Sequence, residues 1–278
     1  MSLAAAGLKA RLRRIRHVAL DMDGTIYSGS TLFPFTLPFL ALLKQLGIGY
    51  TFLTNNSSRS TREYLVELAR LGIPATETEL FTSTRATINF LRRDYPQGSR
   101  LFVLGTSSLA AEMAENGFVV TQDKATDEPD AVVVGFDMTL VFSRLCRAAY
   151  WIQQGKPFIA THPDLVCPTD EPTVLVDCGS LCAALEKAAG RAPDAVLGKP
   201  DPGMISGILE RHGLAPAELA MAGDRLYTDM EMARRAGALS VLVLTGETTP
   251  ESANEANIPV DLVVHDLAAF GDLLRARV

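Results

Sequence analysis

The sequence predicts an α/β protein built on a doubly wound, mainly parallel sheet, with a second α/β domain inserted into it. Two observations lead there. Short, apolar, β-rich runs alternate with stretches of helical periodicity, which is the signature of strands joined by crossover helices. The span from Asn55 to Lys199 is also too long for a single strand–helix connection. After one further unit of the outer domain it leaves roughly 100 residues, enough for a domain of its own.

Each element has a local reason. The basic start, "LAAAGLKARLRRIR", reads as a surface helix leading into the first strand, and an amphipathic targeting segment is the other reading. "HVALD" is that strand. "TLPFLALLKQLG" is a helix closed by Gly47, and "IGYTFLT" a second strand. In "SSRSTREYLVELARLG", Ser60 and Glu63 have capping-box spacing and Gly72 ends the helix. The middle of the chain offers strands at "RLFVLG", "FVVTQ", "DAVVVGFD" and "PFIATHPD", with helices near 108–116 and 139–154 between them. The outer domain then resumes with "DAVLGKP" as a strand and "DPGMISGILERHG" as a helix. Asp201 caps that helix, Pro202 suits its first turn and Gly213 stops it. "ELAMAGD", "YTDMEMARRAG" and "LSVLVLTG" follow as strand, helix and strand; "ATDEPD" and "GETTPESANEAN" are polar loops. The expected boundaries are 1–82 and 190–278 for the outer domain and 83–189 for the insert.

Composition narrows the function. The 278 residues are 47% hydrophobic and 21% charged, as in soluble globular proteins. A net charge of −6 argues against nucleic acid or an anionic membrane as partner. The longest apolar runs are too short to span a bilayer. Cys146, Cys167, Cys178 and Cys182 include no C-x-x-C pair, so the expectation is reduced thiols in a cytoplasmic protein. Cys178 and Cys182 share a helix face, but nothing elsewhere completes a zinc site.

The chemistry lies where strands end. An apolar strand, Val18–Leu20, runs into Asp21 and Asp23, and two carboxylates about 4 Å apart at an effective dielectric of about 20 repel by about 4 kcal/mol. Thr54 and Asn55, Lys199, and Asp224 with Asp229 each follow another expected strand of the outer domain. In an open parallel sheet those ends share one crevice. Several carboxylates, a lysine, a hydroxyl and a turn amide suit Mg²⁺ beside an anionic phosphoryl group. Asp21, at the rigid end of its strand, is the better placed nucleophile for phosphorus. Asp23 is the candidate to protonate the leaving oxygen and then deprotonate water, and Lys199 neutralises the remaining charge.

"DMDGT", "FLTNN", "GKPDP" and "GDRLYTDM" together resemble, in order and spacing, the four motifs of the haloacid dehalogenase superfamily of phosphatases. The large insertion between the second and third motifs, ending in "GSLCAALEKAAGR", is similar to the NagD-like branch with its type IIA cap. That resemblance covers nearly the whole chain. It implies a Rossmann-like core with an α/β cap. It implies Thr54, Asn55 and Lys199 around phosphate, and Mg²⁺ held by the Asp21 side chain, the Asp23 backbone carbonyl and Asp224, with Asp229 in support. It implies a cap region, Gly179, Ser180, Leu181 and Cys182, that leans over the site and helps choose the substrate, and a homodimer formed through the cap. Asp at position 23 favours phosphate-ester hydrolysis over dehalogenation or phosphonate cleavage.

The expected function is therefore hydrolysis of a small-molecule phosphate monoester. A phosphotransferase or mutase using the same aspartyl-phosphate and a non-catalytic phosphate binder are the other readings. No cysteine has arginine six residues on, and neither a P-loop, nor a G-x-S-x-G elbow, nor a G-x-G-x-x-G after the first strand occurs. His162, Asp164 and Arg225 receive no role from sequence.

Overall fold

The structure, a computed structural model, describes residues 3–168, 173–255 and 258–277. It divides into two compact units. The first comprises 1–54, 67–81 and 199–278, the second 55–66 and 82–198.

The first unit is built on a six-stranded sheet. In chain order its first strand is β1 (His17–Asp21), followed by a small antiparallel hairpin, β2 (Tyr27–Ser28) and β3 (Thr31–Leu32), then β4 (Gly49–Thr54) and β5 (Leu80–Thr82). The second unit supplies β6 (Arg100–Leu104), β7 (Val119–Val120), β8 (Ala131–Val134), β9 (Phe158–Ala160), β10 (Val166–Pro168), β11 (Val174–Val176) and β12 (Ala195–Val196). The first unit is completed by β13 (Leu219–Gly223), β14 (Leu239–Val243) and β15 (Leu262–Val264). The sheet order is β15-β14-β13-β1-β4-β5, with the β15 to β4 pairings all parallel.

β1 and β13 are buried at every position, as a parallel strand covered by helices on both faces must be. The order runs outward from β1 in both directions, so the chain reverses its winding there. Such a switch point opens a crevice at the carboxyl ends of the strands. The register sets those ends level: Leu20 faces Ala222 on one side and Phe52 on the other, and Asp21 faces Leu53.

The second unit has a five-stranded parallel sheet, β12-β9-β8-β6-β7, and an antiparallel pair, β10–β11. Two apolar clusters cover its sheet, one around Trp151, Phe158 and Leu185, the other around Leu109, Met113 and Ile159. β12 corrects one expectation. Sequence places "DAVLGKP" in the outer domain as a strand, whereas Ala195 and Val196 pair with Ile159 and Ala160 of β9. Residues 190–198 accordingly cluster with the second unit, and Lys199 opens the return to the first. "YTDMEMARRAG" also differs from a plain helix: Leu226–Met230 is a π-helical turn, and the α-helix runs over Glu231–Ala236. No helix among the described residues is long and apolar enough to cross a membrane.

Candidate active site

Asp21 is the last residue of β1, Thr54 the last of β4, and Asp224 follows directly on β13. Extended backbone, gripped by ladder hydrogen bonds on both sides, leaves these side chains little freedom of position. All three are buried, as are Lys199 and Asp229. The Lys199 ammonium pairs with Asp21 Oδ1 and, at 2.8 Å, with Asp229 Oδ1. Thr25 Oγ1 donates to Asp21 Oδ2 at 3.3 Å. Asp21, Asp224 and Asp229 each offer a carboxylate oxygen, and the three oxygens lie within 4.8 Å of one another.

Like charges this close are strained, and the titration behaviour shows it. Burial, then repulsion by Asp21 and Asp229, pushes the Asp224 carboxyl up to about 8. Burial also raises Asp229, to about 6, although Lys199 opposes the rise. For Lys199, burial alone would lower the pKa; Asp21 and Asp229 outweigh it and hold the ammonium above the ordinary lysine value. One lysine does not satisfy three carboxylates. Asp224 Oδ1 is buried without a hydrogen-bond partner, whereas its Oδ2 accepts the Glu247 amide at 2.6 Å. An orphaned carboxylate oxygen facing two further carboxylates is a donor set that fits a hard divalent cation.

Other sequence candidates stand differently. The Asp23 carboxylate is exposed, accepts the Gly29 amide at 3.2 Å, and is not one of the three grouped carboxylates. Asn55 belongs to the second unit, where its Nδ2 donates to Asp164 Oδ1 at 3.1 Å and its carbonyl accepts from Ser83 Oγ at 2.6 Å. Asp229, read from sequence as supporting, is fully buried; its Oδ2 accepts the Arg225 amide at 3.1 Å. The Arg225 guanidinium turns to Glu247 at 3.0 Å.

Of the four cap residues, Gly179 and Ser180 are half-buried, while Leu181 and Cys182 pack into the core of the second unit. Gly179 is required there, because a Cβ would press on the Pro163 carbonyl. His162 and Asp164 are buried. His162 Nε2 is 2.9 Å from Asp177 Oδ1, and Nδ1 is 2.9 Å from Thr161 Oγ1.

Thr25, the last residue of "DMDGT", receives no role from sequence, and the structure sets its hydroxyl on Asp21. In the loop Thr245–Thr248, which contacts Asp224 and Gly24, sequence places Thr245 at the end of a strand and Gly246 to Thr248 in a polar loop, with no role in the site. Its signal was position: it follows β14, the neighbour of β13, at the same edge of the sheet.

The sequence pattern of the haloacid dehalogenase-like hydrolases matches residues 18–119, and a second HAD-hydrolase-like pattern matches residues 196–270. Together they take in both sides of the carboxylate cluster. The chain belongs to the haloacid dehalogenase-like hydrolases. Within them it is NagD-like, since relatives of that kind match along nearly its full length. An acid sugar phosphatase of Staphylococcus aureus is 30% identical over 256 residues, 92% of this chain and 96% of the relative. The crystal structure of a 4-nitrophenylphosphatase from Thermotoga maritima superposes with a TM-score of 0.89 at 39% identity, covering 94% of this hydrolase and 98% of the other chain. That of a glycerol phosphate phosphatase from Mycobacterium tuberculosis in complex with magnesium has a TM-score of 0.85 at 33% identity, covering 93% and 77%.

Proposed function

We propose that this hydrolase is a Mg²⁺-dependent phosphatase that cleaves a small phosphate monoester through an aspartyl-phosphate on Asp21. One observation carries the reading: a buried ammonium, Lys199, shared by Asp21 and Asp229, beside an Asp224 oxygen that has no protein partner. An anion-binding cation and a cation-hungry carboxylate cluster at one strand end are what a phosphate ester and a metal ion need together. The relatives named as sugar, 4-nitrophenyl and glycerol phosphate phosphatases support a small substrate.

Asp21, Asp224 and Asp229 are the side chains that would hold the ion. Bound there, Mg²⁺ supplies charge that offsets repulsion between the Asp21 carboxylate and the phosphate. The remaining work falls to the chain. Lys199 and Thr25 fix the Asp21 carboxylate so that an oxygen of it attacks phosphorus as the bond to the leaving oxygen breaks. Asp23, exposed to solvent beside the β2–β3 hairpin, gives that oxygen its proton. The same carboxylate then takes a proton from water, whose oxygen attacks the phosphorus and breaks the bond to Asp21. Inorganic phosphate is released and the Asp21 carboxylate is restored. Thr54, at the neighbouring strand end, offers its hydroxyl to the phosphoryl oxygens.

The test is phosphate release from a panel of sugar, glycerol, nucleoside and p-nitrophenyl phosphates, with Mg²⁺ or with EDTA. EDTA is expected to abolish turnover, and Asp21→Asn to lower kcat by at least about 10³-fold. Turnover that survives either treatment would reject the mechanism.

A further inference from the structure

The chain after β14 closes over the end of β13 and takes hold of Asp224. Thr248 Oγ1 donates to the Asp224 carbonyl at 2.5 Å, and the Thr248 amide reaches the same oxygen at 3.3 Å. The Glu247 amide donates to Asp224 Oδ2 at 2.6 Å. Thr245 Oγ1 donates to the Gly24 carbonyl at 2.6 Å, which ties the loop to the turn following Asp21 and Asp23. Gly246 lies between these anchors. A Cβ on it would meet Asp224 Oδ2 and come 2.8 Å from the Gly24 Cα. A Cβ on Gly24, whose φ is +82°, would in turn come 2.5 Å from Asp224 Oδ2. The close approach therefore needs glycine on both sides of the carboxylate.

The asymmetry at Asp224 is the informative feature. Its carbonyl takes two donors and its Oδ2 one, all from this loop. Its Oδ1 is hidden from water but has no hydrogen-bond partner. A loop that merely needed anchoring has no reason to hold the carboxylate by one oxygen and leave the other bare. We propose that Thr245, Gly246 and Thr248 are positioning residues for the metal centre. Thr248 fixes the Asp224 backbone, Thr245 anchors the loop on Gly24, and the Glu247 amide so held fixes the rotation of the Asp224 side chain, which leaves a single oxygen, Oδ1, for the divalent cation. The proposal rests on the reading of Asp224 as a metal ligand, and deepens it. The Glu247 side chain holds the outer face of the loop: its Oε2 forms an ion pair with Arg225 Nε, 3.0 Å away, and accepts from the Tyr227 hydroxyl at 3.2 Å.

The test is calorimetric titration of the full chain with Mg²⁺ in the absence of substrate, for wild type, Thr248→Val and Thr248→Ser. Loss of an outer partner of a metal ligand typically weakens affinity by about 10- to 100-fold, and Thr248→Val is expected at the lower end of that range. Thr248→Ser, which keeps the hydroxyl, is expected within about twofold of wild type. A merely structural loop would lower thermal stability without moving the Mg²⁺ dissociation constant, and that result overturns the proposal. So does a serine variant as weak as the valine one. If Thr248→Val fails to fold by circular dichroism, Thr245→Val carries the same comparison, and wild-type affinity there overturns the proposal as well. Wild-type protein that binds no Mg²⁺ would defeat both the metal-ligand reading and this one. Wild-type binding with an unaltered Thr248→Val constant defeats this one alone.

Discussion

His17 begins the strand that Asp21 ends, about 13 Å away at the usual rise per residue, and its titration is separable from that of the site. The ring is buried, with Nε2 2.9 Å from Thr51 Oγ1 and its centroid 4.4 Å from that of His212. Burial, then the charge of His212, lowers the His17 pKa to about 4. A histidine depressed in the folded state contributes stability that is present above its unfolded pKa, near 6.5, and is lost as pH falls towards 4. Between pH 7 and pH 5 the loss amounts to about 2 kcal/mol. Urea unfolding is therefore expected to show His17→Gln losing about 2 kcal/mol less, or gaining about 2 kcal/mol more, than wild type between the two pH values, the carboxylate cluster contributing the same opposite change to both proteins. Equal pH dependence in the two proteins would place the acid-sensitive group elsewhere.

At the scale of an element, the helix Cys178–Ala189 shows how a cap and a buried ion pair are joined. Asp177 is its N-cap, and the same Oδ1 accepts the Cys178 amide at 2.6 Å and lies 2.9 Å from His162 Nε2. Burial would lower the His162 pKa, but Cys178 and Asp177 outweigh it and push it up to about 9. A histidine raised in this way contributes stability that is whole below 6.5 and is lost as pH rises through about 9. Asp177→Ala removes cap and charge together and strands a buried imidazolium. It is expected to cost about 3–5 kcal/mol at pH 7 by urea unfolding. Asp177→Asn keeps an acceptor for the Cys178 amide and is expected to fall between the two; wild-type stability in the asparagine variant would mean that the imidazole is neutral. None of this pairing was legible in the sequence, because His162 and Asp177 meet only through the fold. What was legible was local. β1, β4, β13 and β14, and the chemistry at their ends, follow from apolar runs that stop in a carboxylate or a hydroxyl. Alternation alone could not say which sheet would claim Ala195–Val196, since a two-residue strand carries too little pattern to choose a partner. Nor could it show that Thr245–Thr248 would reach back to Gly24, far away in the chain.

Across the whole first unit, the gathered carboxylates set a conflict between folding and function. Bringing Asp21, Asp224 and Asp229 together opposes folding unless protons or a cation intervene. Asp224 and Asp229 have folded pKa values raised to about 8 and about 6. A carboxyl raised on folding favours the metal-free fold while it is protonated, so that contribution is present near pH 4 and is lost as pH rises through 6 and 8. Mg²⁺ has the opposite dependence, because it competes with protons for the same oxygens. The metal-free protein is therefore expected to lose thermal stability from pH 5 to pH 8, and added Mg²⁺ to restore more of it at pH 8 than at pH 5. At about 100 times the dissociation constant, binding adds about 2.7 kcal/mol, or a rise of about 5–10 °C in Tm. Differential scanning calorimetry with EDTA or Mg²⁺ at both pH values measures the four quantities. In Asp224→Asn one of the repelling charges is gone. Its metal-free form is expected to resist the alkaline loss better than wild type and to gain less from Mg²⁺. A Mg²⁺-induced rise in Tm that is the same at pH 5 and pH 8, or that survives undiminished in Asp224→Asn, would show that the cation is held by other groups.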